Sequence, residues 1–158
     1  VSRAFVSEES TAATASALPE RPVSAGPNLV TARGLALIEA EIARLEKVQS
    51  GTESEDLAHL AAVRDLRYWR ARRATATVVP PPPAQPAEVA FGCQVTLRPV
   101  GGRAVTYRIV GEDEADPAQG LLNWASPLAQ ALMGAVAGDD VDIGGGRPTV
   151  TVQRIDGG

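Results

Sequence analysis

Two residue patterns and the break between them predict an α+β protein. Its N-terminal part is an antiparallel helical hairpin, a coiled coil, and its C-terminal part is an antiparallel sheet domain with one packed helix. Residues 31–75 carry apolar side chains at spacings of three and four, the period of a helix. Residues 89–156 carry short alternating runs bounded by glycine, the habit of strands and turns. Between them stands Pro80-Pro81-Pro82-Pro83-Ala84-Gln85-Pro86, a stiff polyproline II spacer. The chain therefore divides into an extended or disordered leader (1–28), the hairpin (29–79), a proline-rich linker (80–87) and the sheet domain (88–158).

The leader is rich in Ser, Ala, Pro and Glu and has no periodicity. Two of its pieces, Ser2-Arg3-Ala4-Phe5 and Pro19-Glu20-Arg21-Pro22-Val23-Ser24, look more specific than filler, without a mechanism attached. The first helix begins near Thr31, a residue that can cap, and its stripe is Leu35, Ile38, Ile42 and Leu45. The pattern breaks at Gln49-Ser50-Gly51-Thr52. A second helix is expected from Ser54 to Thr75, with Ser54 as its cap, acids in its first turn and a stripe of Leu57, Leu60, Val63, Leu66 and Trp69. Neither helix can bury its stripe alone, so the two pair. In the C-terminal part, Val95 and Leu97 alternate, as do Tyr107, Ile109 and Gly111, with Gly101-Gly102 between them as a hairpin turn. Ser126 caps a helix whose first residue is Pro127 and whose apolar face is Leu128, Ala131, Leu132 and Ala135, with Gly138 to end it. Gly144-Gly145-Gly146 lacks the lysine of a phosphate loop and reads as a turn before a strand over 149–155.

Composition narrows the function. With 158 residues the chain holds one or two small domains. Only 4% of residues are aromatic, which argues against a large aromatic-lined ligand pocket, and the net charge of −4 gives no global attraction to nucleic acid or membrane. Cys93 is the only cysteine and lies in a predicted strand, so a buried thiol is expected and no intramolecular disulfide. The one histidine, His59, is in a separate segment, so no Cys/His metal site and no cofactor are expected. There is no apolar run long enough to span a membrane and no apolar signal core, so a soluble, cytoplasmic protein is expected.

The order of the C-terminal blocks says more. Phe91-Gly92, Val95, Thr96, Tyr107, Ile109, Val110, Gly111, Glu114, Ala115, Asp116, Ser126, Pro127, Ala131, Leu132, Gly134, Gly138 and Asp139 resemble, in sequence order, the C-terminal domain of the bacterial GreA/GreB transcription elongation factors. The leader pieces are similar to those of some GreB-like proteins. The resemblance implies a coiled-coil hairpin followed by an FKBP-like sheet domain, and RNA polymerase as the partner. It implies that the hairpin tip enters the polymerase's secondary channel, where two acidic residues help hold a Mg²⁺ ion and a water beside the polymerase's own carboxylates.

At the tip, the family motif G-D-x-S-E-N meets Gly51-Thr52-Glu53-Ser54-Glu55-Asp56. Gly51, Ser54 and Glu55 match, but Thr52 stands at the first acidic position, and a hydroxyl is a poor Mg²⁺ ligand. Glu53, Glu55 and Asp56 are the remaining tip candidates, either as a remodelled acidic tip or as ordinary capping acids. The two helices, about 18 and about 21 residues, reach roughly 27–32 Å, so the tip should stop roughly 10–20 Å short of the family's. Arg64, Arg67, Arg70 and Arg73 match a basic patch that in the family faces the transcript's 3′ end, or form a solvated helix face. Tyr68 and Trp69 beside them either stack on bases or pack within the protein. Polymerase contacts fall by resemblance on Glu114, Asp116, Asn123, Trp124, Ser126 and Pro127, although Ala125 departs from the acid or amide usual before Ser-Pro.

The expected function is that of a Gre-type factor, a monomeric accessory protein rather than an enzyme. It docks at the secondary channel, touches transcript RNA through the hairpin and modulates elongation by occupancy. One alternative is a cleavage-stimulating factor with a remodelled tip. Another is an FKBP-type prolyl isomerase or chaperone, which the low aromatic content disfavours.

Overall fold

The computed structural model describes residues 18–157, so the leader piece Ser2–Phe5 lies outside the described residues. In chain order the elements are β1 (Asn28–Val30), α1 (Ala32–Gly51), α2 (Leu57–Thr75), β2 (Ala76–Val78), β3 (Gln94–Pro99), β4 (Val105–Val110), β5 (Leu121–Asn123), α3 (Pro127–Leu132), β6 (Asp140–Val141) and β7 (Val150–Asp156). Short 3-10 turns stand at Glu112–Glu114 and Pro117–Gln119. The α+β class, with a helical hairpin ahead of a sheet, is the one the sequence predicts. The chain forms two compact units that do not follow its order. One holds the described residues up to Gly26 with Ile38–Thr75, and the other holds Pro27–Leu37 with Ala76–Gly157.

In the hairpin unit, Ile38, Ile42 and Leu45 of α1 and Ala62 and Leu66 of α2 are buried. The α2 stripe differs from the expected one at its start. Leu57 is 61% exposed, because α2 begins there rather than at Ser54 and α1 has already ended at Gly51. Ser54 therefore does not cap, and Glu55 and Asp56 precede the helix instead of filling its first turn. Asp56 opens it. Its carbonyl accepts from the Leu60 amide at 3.0 Å, while its carboxylate accepts from the Glu53 amide at 3.2 Å.

The sheet unit carries a five-stranded sheet in the order β5-β4-β3-β7-β6, antiparallel except for the β4–β5 pair. Val95, Leu97, Ile109 and Val152 point one way into a core completed by Val89, Phe91, Cys93, Leu122, Ala129 and Leu132. The Cys93 thiol is free and buried, as expected. The turn at Gly101-Gly102 forms where the sequence puts it, with Gly101 at φ +71° and the Gly102 amide donating to Pro99 O at 3.0 Å. Ser126 caps α3, its Oγ accepting from the Ala129 amide at 3.3 Å. The helix ends at Leu132, well before Gly138. The chain turns at Gly134 instead, because the Gly134 amide and Ala135 carbonyl bond to the backbone of Val89.

Two features were not expected. β1 and β2 pair in parallel, Asn28 with Ala76 through Val30 with Val78, so the hairpin's flanks are strands and Asn28 is not part of a loose leader. The proline-rich segment is also fastened along the sheet unit rather than standing free. The Val79 amide donates to Val30 O at 2.9 Å and the Gly157 amide to Ala84 O at 3.0 Å. A Cβ on Gly157 would sit 2.0 Å from Pro83 O, so only glycine allows that approach.

Candidate functional site

The candidate residues occupy three places, and the structure gives each a local role. At the tip, Glu53, Glu55 and Asp56 are exposed. Thr52 is turned back onto α1, where its hydroxyl donates to the Val48 carbonyl at 2.8 Å. His59 Nδ1 lies 3.1 Å from the Gln49 carbonyl, a bond that requires the proton on Nδ1. These two side chains satisfy carbonyls that the end of a helix leaves without intrahelical partners. The residue at the family's first acidic position thus closes a helix. Among the described residues no group of three His, Cys, Asp or Glu side chains is placed to hold a metal ion.

On α2 each of three patch arginines has an acidic partner. Arg64 pairs with Asp65 at 2.9 Å, Arg70 with Glu46 of α1 at 2.9 Å, and Arg67 with Glu20 of the leader through both guanidinium nitrogens. Arg73 is exposed. The hydrogen bond from Arg67 holds the Glu20 carboxyl below the usual carboxylate range and raises Arg67 in turn. Arg21, next in the leader, lies 3.8 Å from Asp65 and stacks 3.9 Å from the Tyr68 ring centroid. Tyr68 and Trp69 meet edge to face at 5.1 Å. The leader piece Pro19–Ser24 therefore lies against α2. Its sequence signal was the acid–base dipeptide between two prolines, which matches Arg67 and Asp65 on the helix.

In the sheet unit the six docking candidates separate. The sequence reading puts Glu114 on the surface, but its side chain is only 3% exposed. It accepts from Thr31 Oγ1 at 2.5 Å and from Arg33 Nη1 at 2.9 Å. Thr31 Oγ1 in turn accepts from the Gly34 amide at 2.9 Å, so the residue that caps α1 is itself held by a buried carboxylate. Gly34 lies close to this clasp, since a Cβ would come within 2.8 Å of Glu114 Oε2 and the carboxylate would have to shift. Asp116 caps the second 3-10 turn, Asn123 Oδ1 accepts from the Ala125 amide at 2.9 Å, and Pro127 is exposed. Trp124 is half-buried at the edge of the core. A groove of about 350 Å³ lies beside Glu114. Its apolar wall comes from Pro80, Pro81, Pro82 and Phe91, so Phe91 is its only aromatic residue. No helix among the described residues is long and apolar enough to cross a membrane.

Comparison with known proteins identifies the family. The family described as "Transcription elongation factor, GreA/GreB, C-term" matches residues 84–156. Transcription elongation factor GreA of Desulfovibrio desulfuricans is 32% identical over 146 residues, covering 80% of this chain and 90% of the relative. Transcription elongation factor GreB of Pseudomonas aeruginosa is 33% identical over 133 residues, covering 72% and 79%. Among solved structures, the elongation factor GreA/GreB from Nitrosomonas europaea is 21% identical, covers 82% of this chain and 98% of its own, and superposes with a TM-score of 0.39. The chain belongs to the GreA/GreB family of transcription elongation factors.

Proposed function

We propose that this chain binds RNA polymerase at the secondary channel and modulates elongation by occupying it, without supplying the acidic pair that stimulates transcript cleavage. It acts as a monomeric accessory factor in the bacterial cytoplasm, not as an enzyme. The observation that carries this reading is Thr52. It stands at the first acidic position of the tip motif, and its hydroxyl is committed to the end of α1.

Hairpin length supports the same reading. Helices of 20 and 19 residues reach about 29–30 Å at 1.5 Å per residue. We assign docking to the partly exposed rim around α3, with Asp116, Asn123, Ser126 and Pro127 as contacts and half-buried Trp124 as the anchor, since interfaces favour such aromatic anchors. Glu114 holds Thr31 and Arg33 at the start of α1 instead of touching a partner. The hairpin arginines Arg64, Arg67, Arg70 and Arg73 face transcript RNA.

Competition tests this reading. The protein should displace a labelled Gre factor from core polymerase, and Trp124→Ala should weaken that displacement about tenfold or more. A chain that fails to displace the Gre factor at any concentration does not dock there.

A further inference from the structure

We propose that the leader dipeptide Glu20-Arg21 is an intramolecular cover on α2 that single-stranded RNA displaces. The Glu20 carboxylate takes the place of a backbone phosphate on Arg67, and the Arg21 guanidinium takes the place of a base on Tyr68. The inference rests on the reading that the hairpin arginines face RNA, and adds the device that controls access to them.

The geometry is that of a substitute ligand. Arg67 offers Nε and Nη2 to the two oxygens of Glu20, the fork by which arginine also grips a phosphate. One residue on, the Arg21 guanidinium carbon sits over Tyr68, 3.9 Å from its centroid and 5.4 Å from that of Trp69. A cation followed at once by an aromatic ring is the combination that holds a phosphate and its base in single-stranded nucleic acid. The cover is presented ready-made. Pro19 and Pro22 bracket the dipeptide, and a residue before proline is held extended, so little ordering accompanies the contact.

The cover is also removable. Of the acids that pair with Arg64, Arg67 and Arg70 among the described residues, Asp65 and Glu46 belong to the helices themselves, and Glu20 comes from the leader. The side chains of Arg67 and Glu20 are 56% and 63% exposed, so solvent and salt reach the pair and it is weak. Release of the leader frees Arg67, lifts the Arg21 guanidinium from Tyr68, and leaves Asp65 to neutralise Arg64.

The test is binding of a fluorescently labelled single-stranded oligoribonucleotide to the full chain, followed by anisotropy across a salt series. Glu20→Gln, and Glu20→Gln with Arg21→Ala, should bind severalfold more tightly. Their plot of log affinity against log salt should steepen by about 0.7 for the one freed phosphate contact. Adding Arg67→Ala to either variant should cancel the gain. Both substitutions are on the surface, and unchanged thermal unfolding verifies the fold. Equal affinity and slope for covered and uncovered chains overturn the proposal, as does a gain that survives Arg67→Ala or an oligoribonucleotide that none of the chains binds. The assay contains no polymerase, so loss of docking in the competition experiment would refute the docking reading and leave this result standing.

Discussion

Glu114 and Glu55 both lie in stretches that match the family, and the chain treats them in opposite ways. Glu114 is buried against the first turn of α1, bonded to Thr31 and Arg33. Glu55 stands exposed in the turn between the helices. Carboxylates buried with partners hold a shape, whereas exposed ones are free to meet something else. The sheet unit thus spends its matching residues on a fixed frame, whereas the tip exposes its acids and, in the proposed reading, carries Thr52 where the family motif has an acid. In the proposed reading, docking and tip chemistry therefore belong to different parts of this molecule.

The sharpest way to break this contrast is through the two cores. Ile109→Ala, in the middle of the sheet, should lower unfolding free energy by about 2–5 kcal/mol, while Leu57→Ala at the tip should change it by no more than about 0.5 kcal/mol. Urea unfolding of both variants reads the difference, and equal effects would remove the distinction between frame and tip. Next in size is the clasp itself. Glu114→Ala strands Thr31 Oγ1 and should cost about 1–3 kcal/mol, with Glu55→Ala close to neutral. Gly34→Ala would gain about 1 kcal/mol as an ordinary helix substitution, yet the crowding against Glu114 should make it destabilising. A stabilised Gly34→Ala protein would mean that the clasp is loose.

The smallest expected effect concerns acid. Glu20 has an ordinary value of 4.5 and is depressed in the folded protein by the hydrogen bond from Arg67. Its contact is therefore complete above that ordinary value and is lost as pH falls through the depressed one. Between neutral pH and the ordinary value the leader should stay in place. A carboxyl NMR titration of Glu20 checks this, and a midpoint above 4.5 would contradict the pairing.

Much of this architecture is legible in the sequence, for physical reasons. The stripe of Ile38, Ile42 and Leu45 repeats with the helix period, and Val95, Leu97 and Ile109 alternate with the strand period, so each announces its face. β1 and β2 are three residues each, too short for any period to appear, and they pair across the whole hairpin. The Asp56 start of α2 was hidden by a serine two residues earlier that satisfies the same capping rule. At the candidate site, the sequence marks Thr52 as the departure from the motif, but not the Val48 carbonyl that occupies it. The partnership of Glu114 with Thr31 was invisible because it joins residues 83 positions apart, and no local spacing encodes such a contact.

The central claim is that docking is retained and cleavage is not. Backtracked elongation complexes test it most directly, with transcript length followed after the protein is added at a concentration that displaces a Gre factor. The account predicts occupancy with no release of short 3′ fragments. Fragment release that Glu55→Ala abolishes would contradict it and make the exposed acids Glu53, Glu55 and Asp56 a working tip.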